Sequence, residues 1–371
     1  MKHDSRVWFR LAILAGAALA LLGGATPSAA QERPSGADVL YIGDTADDTV
    51  KRFDAQTGQF LGTFIPEGTL HGPRGILHAG TFLVSNQNVG LPFAGEVDRY
   101  NANGGFLGAL VPHDSPNAPF APRGIILGPD RRTLYVADLG PDFPECVGSP
   151  TQPCGAVKRY DVSSGLTARF LGDLDFTSFT HDARLSTGEF RPRGLVFGPD
   201  GRLYVSLFSE GRVQFNDQPQ VGSVLRYTLG SGRVEVVGDF RTQSDTCSVH
   251  LHRPEGLVFG PDGRLYVTSF RADEKDVDRV LIFDSARSKC VDDIELDRVG
   301  QPRAFAQALL FGPGGDLFVP ISGNGPDTGA VRRYDVETKT FTNFVAPSGP
   351  LGSPQYLTFG KTNPSTLAYP T

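Results

Sequence analysis

From Asp38 onward the chain alternates short apolar runs with turn signals, and one such run recurs. It is clearest as RGLVFGPDGRLYVSLF from Arg193 and EGLVFGPDGRLYVTSF from Glu255. Weaker copies are RGILHAGTFLVSN from Arg74, RGIILGPDRRTLYVAD from Arg123, QALLFGPGGDLFVPI from Gln307 and QYLTFGKTNPSTLAYP from Gln355. A spacing of roughly fifty to seventy residues is the period of a propeller or a solenoid. Within each copy the GLVF run ends in Gly-Pro-Asp-Gly, a turn signal, and LYV resumes a strand, which predicts a hairpin. A third strand follows as GSVLRY, GAVKRYD, GEVDRY, GAVRRYD or TVKRFD, and then a fourth, such as FLGTFI at Phe60. Four antiparallel strands make one propeller blade.

The two ends complement each other. Residues 38–65 supply the second, third and fourth strands of a blade, and the copy at Gln355 supplies a first strand. The pattern therefore predicts an all-β fold, a six-bladed β-propeller closed by strand exchange between the termini. Closure removes the sheet edge that an open ring would expose. The tail after Pro364 reads like part of another second strand, which leaves seven blades as the alternative.

The first thirty residues stand apart. Lys2, Arg6 and Arg10 precede an apolar run from Leu11 to Leu22 and the small residues Ser28, Ala29 and Ala30. This is the pattern of a secretory signal peptide, residues 1–30. The run is shorter than the ~20 residues a membrane-spanning helix needs, so no span is expected after cleavage. Residues 31–371 are then expected as one periplasmic or extracellular domain, and as a monomer. The 45 Gly and 28 Pro are spread through the chain, in keeping with many short strands. A net charge of −6 supplies no basic field for nucleic acid. Four cysteines remain, an even number in a compartment where disulfides persist. Cys146 and Cys154 bracket a short Gly/Pro-rich segment and are expected to bridge; the pairing of Cys247 and Cys290 stays open.

On the PxGLxFGPDGRLYV pattern, residues 38–371 resemble the NHL-repeat proteins and the wider group of TolB-like, regucalcin/gluconolactonase-like and streptogramin-lyase-like propellers. The resemblance implies the six-bladed architecture, which hosts binding modules and unrelated enzymes alike.

Longer loops at 139–155, 172–191, 208–222 and 241–252 all fall on the face where first strands begin and second strands end, so that face is the expected binding face. The residues leading the first strands are Gln355, Arg74, Arg123, Arg193, Glu255 and Gln307, and those ending the second strands include Asp44, Asn86 and Asp138. Three guanidiniums on one channel suit a carboxylate or phosphate. The competing reading pairs the arginines with Asp44, Asn86 and Asp138 as clasps between blades. A second constellation is His250, His252 and Glu255 in HxHRPE, with His71 at the equivalent point before Arg74 and His181 in a neighbouring loop. The streptogramin-lyase resemblance implies His71, His252 and Glu255 as catalytic groups, with Glu255 and His252 holding Ca, Mg or Zn. Against it, arginines stand where the gluconolactonase-like pattern would complete a Glu, Asn and Asp metal set, and positive charge disfavours a cation. No GxSxG, HExxH or phosphate-loop motif is present. The GPDG aspartates Asp200 and Asp262 read as turn residues. The leading expectation is a binding or interaction scaffold for a small anionic molecule or a protein or peptide segment, without a certain cofactor. The alternative is a metal-dependent lyase or lactonase.

Overall fold

Each GPDG hairpin joins the two inner strands of a four-stranded antiparallel sheet, and six such sheets surround one axis. The computed structural model describes residues 38–90, 94–141, 155–180, 190–209, 221–240, 247–323, 325 and 328–370, all within the unit Ala37–Thr371. Blade 1 consists of Val39–Asp44, Thr49–Asp54 and Phe60–Ile65, with Pro354–Phe359 as its innermost strand. The register pairs Leu40 with Phe359, Tyr41 with Thr358 and Ile42 with Leu357. The expected strand exchange is thus the observed closure. Blades 2 to 5 have inner strands Pro73–His78, Pro122–Leu127, Pro192–Phe197 and Arg253–Phe259.

Blade 6 departs from the repeat. Its inner strand shrinks to Leu310–Phe311, so Gln307 precedes the ladder instead of opening it. The residues ahead of it answer to side chains: Asp278 accepts the N–H of Phe305 at 2.9 Å, and Asp297 accepts that of Ala304 at 2.9 Å.

A recurring aromatic of the third strand ties that strand to the outer strand of its own blade. Phe53, Tyr100, Tyr160 and Tyr334 are buried, and each meets an aromatic of the adjoining outer strand, Phe60, Phe106, Phe170 or Phe341, at 5.2 to 5.5 Å between ring centres. Fully burying one such ring contributes roughly 1.5–3 kcal/mol. In the turns, Asp200 accepts the N–H of Arg202 at 3.1 Å and the hydroxyl of Tyr204 at 3.0 Å; Asp262 does the same for Arg264 and Tyr266, both at 3.0 Å. Their geometric role is as the turn pattern predicts.

The C-terminal tail adds no strand among its described residues, so a seventh blade does not form. It crosses the turn-bearing face instead. Pro364 accepts the N–H of Leu127 at 2.9 Å, Ser365 accepts that of Phe197 at 3.2 Å, and the Ser365 hydroxyl donates to Gly128 at 3.0 Å. Leu367 then packs on apolar residues of three separate core clusters and lines the axial cavity. That cavity is only about 40 Å3, room for a few waters at most. Leu367 thus caps the axial cavity at the turn-bearing face.

Candidate ligand site at the mouth of the channel

The opposite end of the axis is built by one local device used repeatedly. In blades 2 to 5 the first-strand proline pairs in register with the end of the second strand: Pro73 with Asn86, Pro122 with Asp138, Pro192 with Leu207 and Pro254 with Ser269. The register then slips, so that the residue after each proline, Arg74, Arg123, Arg193 or Glu255, sits in a bulge. A bulge turns a side chain away from the regular pleat, here towards the axis. The glycine that follows is required by the next blade. A Cβ at Gly75 would stand 2.7 Å from the Arg123 carbonyl oxygen, and one at Gly194 would stand 2.6 Å from that of Glu255.

The polar residues that end the second strands have a different task. Asp44 accepts the N–H groups of Gly352, Ser353 and Ala46 at 2.8, 2.7 and 3.1 Å, and the Lys51 ammonium at 2.7 Å. Asp138 accepts Phe120, Ala121 and Gly140 at 2.9, 2.8 and 3.1 Å. Asn86 accepts the N–H of His71 at 2.7 Å and donates to Thr69 at 3.2 Å and to Asp98 at 2.9 Å. These three are clasps, but they hold incoming loop backbone and not the arginines. Gln355 likewise turns to its own blade, donating to Thr45 and Ser353 at 3.2 and 3.0 Å.

The arginines converge on the axis. Arg74 Nε donates to Gln87 Oε1 at 2.7 Å, and Arg123 Nη1 donates to Gln307 Oε1 at 3.0 Å. Both partners are neutral amides. Arg193 lies 3.5 Å from Glu255, with both side chains buried. Burial, with Arg123 and Arg193 close by, pulls Arg74 down to about 9 against the pull of Tyr356 and Glu255. It stays charged at neutral pH.

Tyr356 is the residue that the repeat alignment overlooked. The other five copies place Gly75, Gly124, Gly194, Gly256 and Ala308 at its position. The departure from that small-residue pattern was the available signal. Tyr356 lines the axial cavity with those glycines, and burial and Glu255 push its hydroxyl up to about 12 despite the three arginines. It therefore remains a hydrogen-bond donor. Tyr356 Oη, Arg74 Nη1, Glu255 Oε2 and Gln355 Oε1 are all buried and have no hydrogen-bond partner among the described residues. Buried polar atoms are nearly always bonded, so four such atoms around one channel end mark a place built for a polar guest.

The histidines gather elsewhere. His71 is exposed and is held through its backbone. His252 groups with His250 and Asp276, the one set of three or more His, Cys, Asp or Glu among the described residues whose ligand atoms lie within mutual reach. Glu255 is outside that set and beside Arg193. The trio His71, His252 and Glu255 is thus not brought together. Burial drives His252 down to about 4, Asp276 opposing and His250 and Arg253 assisting. Cys247 and Cys290 are disulfide-bonded, fixing the loop that carries both histidines to the outer strand Lys289–Glu295. Cys146, Cys154 and His181 lie outside the described residues, as do large parts of the four long loops.

No protein-family model and no curated protein matches the sequence. Solved structures do. The periplasmic gluconolactonase PpgL of Pseudomonas aeruginosa superposes with a TM-score of 0.53 at 15% identity, over 87% of this chain and 98% of that one. TolB from Acinetobacter baumannii superposes with a TM-score of 0.51 at 11% identity, over 87% of this chain and 66% of that one. The likeness establishes the fold. At these identities it carries no residue of either protein's site across to this one.

Proposed function

We propose that the protein is a binding module, exported from the cytoplasm, that captures a small molecule bearing a carboxylate or phosphate at the mouth of its channel. The observation that carries this reading is the pairing of Arg74 and Arg123 with neutral amides only, beside a buried Tyr356 hydroxyl with no partner. Gln87 and Gln307 accept hydrogen bonds without offsetting charge, and Arg74, Arg123 and Arg193 face the one Glu255 carboxylate, so the channel end keeps a positive, partly desolvated surplus. A planar anion accepts a forked pair of N–H bonds from such groups. The Tyr356 phenol supplies one further donor, and the Arg193–Glu255 pair braces the wall. Leu367 closes the far end, which favours a ligand that enters and leaves by one mouth over one that passes through. Export is supported by the character of residues 1–30 and by the Cys247–Cys290 bridge, a bond that persists in oxidising compartments.

Calorimetric titration of tag-free protein with gluconate, acetate and inorganic phosphate tests this, gluconate being included because of the Pseudomonas likeness. Binding of at least one of these should weaken about 10-fold to 100-fold in Arg74→Ala and in Arg123→Ala, which corresponds to ~1.5–3 kcal/mol for a hydrogen bond to a charged group. Arg287→Ala, on an exposed turn, should bind like the parent. Equal affinity in Arg74→Ala, or no binding of any of the three anions, would refute the reading.

A further inference from the structure

We infer that His250, His252 and Asp276 form a mononuclear site for a divalent transition metal of the zinc class, separate from the anion pocket. Both histidines come from the loop that enters blade 5, and Asp276 comes from the loop between its second and third strands. Three kinds of observation meet here.

The first is spacing. His252 Nε2 lies 3.6 Å from Asp276 Oδ2, and His250 Nδ1 lies 3.7 Å from Asp276 Oδ1. All three ligand atoms fall within 4.8 Å of one another. These separations are too long for hydrogen bonds. They are close to the edge of a tetrahedral zinc shell, about 3.3 Å for metal–ligand bonds of ~2.0–2.1 Å. The two histidine–carboxylate distances exceed that edge by a few tenths of an ångström, and every separation in the set stays within 4.8 Å, so the ligands must draw together on binding.

The second is an imidazole without an occupation. His252 is 7% exposed; its Nδ1 is buried with no hydrogen-bond partner among the described residues, and its Nε2 faces Asp276 at 3.6 Å, beyond hydrogen-bond reach. A buried polar group left in that condition costs on the order of 1–3 kcal/mol. Its ring rests against Phe240 at 4.9 Å, which fixes the plane in which the nitrogens point.

The third is support. The Ser269 hydroxyl donates to the His250 carbonyl at 2.8 Å and accepts the His252 N–H at 3.2 Å, so one side chain ties the backbone of both ligands. The Asp276 carboxylate accepts the Ala272 N–H at 3.1 Å, and the disulfide begins three residues before His250. Such outer contacts orient ligands at a metal centre. Arg279 approaches Asp276 at 3.7 Å, yet it also lies 2.5 Å from Asp293 and 3.0 Å from Glu295. Asp276, Asp293, Glu295 and Asp273 stand against Arg279 and Arg253, so the neighbourhood keeps a negative surplus that welcomes a cation.

Two imidazoles and one carboxylate select zinc, cobalt, nickel or copper over calcium and magnesium, which prefer all-oxygen shells. His250 and Asp276 retain solvent exposure, so a fourth ligand position would face water.

The test uses the tag-free protein, stripped with chelator and titrated with ZnCl2 by calorimetry and with CoCl2 by visible absorption. One equivalent of zinc should bind, and cobalt should give the intense visible bands of a tetrahedral site. His250→Ala and Asp276→Asn should each weaken zinc at least 100-fold while the far-ultraviolet spectrum stays that of the parent. Arg74→Ala should bind zinc unchanged, so that failure of the anion pocket and failure of the metal site are read independently. Absence of stoichiometric zinc, zinc binding indifferent to His250→Ala and Asp276→Asn, or equal affinity for CaCl2 would overturn the inference.

Discussion

Asp44→Ala removes the clasp that shuts the ring, and its cost follows from what it leaves behind. Three backbone N–H groups, on the exposed Ala46 and Gly352 and the half-buried Ser353, lose their acceptor, and the buried Lys51 ammonium loses its buried partner at 2.7 Å while keeping the more exposed Asp47 at 2.6 Å. Hydrogen bonds to a charged group contribute ~1.5–3 kcal/mol each, but several on one residue do not add. Asp47 still pairs with Lys51, so the ion-pair loss lies below the ~3–5 kcal/mol of a buried charge left alone. We expect a loss of about 4 kcal/mol. For a unit of roughly 330 residues at ~2.1 cal/mol/K per residue, that lowers Tm by about 6 °C. Urea unfolding followed by tyrosine fluorescence measures it directly. Asp138→Ala, the same clasp within the ring, serves as the internal comparison. The effect of Asp44 should also vanish in acid. Burial alone would raise its pKa, but Lys51 and the three N–H groups outweigh burial and hold it below the ordinary carboxylate value. A depressed folded pKa means the contribution is complete above about pH 4 and is lost as the pH falls through the folded value. If Asp44→Ala costs under 1 kcal/mol at neutral pH, or if its cost is the same in acid, the clasp does not secure the ring.

Two other substitutions probe groups outside the arginine cluster. Asp98 is fully buried beside Glu96, and burial with that neighbouring charge raises it to about 7. A raised acid loses stability as pH climbs from its unfolded value towards the folded one. Asp98→Asn should therefore stabilise the protein at pH 8 by on the order of 2 kcal/mol and flatten its stability between about pH 4 and 7; a parallel pH profile in parent and variant would contradict this. Leu367→Ala should cost about 2–3 kcal/mol in denaturant unfolding, since it empties a contact shared by three core clusters; a cost below 0.5 kcal/mol would mean that the tail merely rests on the propeller.

Much of the architecture is legible in the sequence because the repeat encodes its own geometry. The Gly-Pro-Asp-Gly turns, the LYV strands and the missing first strand before Asp38 lead to six blades and their closure with no knowledge of contacts. The arginines were legible for the same reason: each stands at a fixed offset from a proline and a glycine. What escaped depends on pairing across the fold. The donors to Asp44 and Asp138 are mostly backbone N–H groups, which leave no mark in composition. Asp276 lies about two dozen residues beyond His252 in an unremarkable acidic stretch, so HxHRPE suggested Glu255 as partner when the bulge had turned Glu255 to the axis. The tail after Pro364 looked like a strand, but its hydrogen bonds run to the ends of two inner strands and form no ladder.

The closing strand also sets an order of events. Val39–Asp44 has one flank vacant until Pro354–Phe359 arrives, more than three hundred residues later along the chain. A nascent or truncated polypeptide that stops short of Pro354 carries an unprotected strand edge through its whole lifetime, the kind of surface that recruits a second copy. Folding of the first blade thus reports on the arrival of the last segment, and damage there should be felt as aggregation before it is felt as lost affinity.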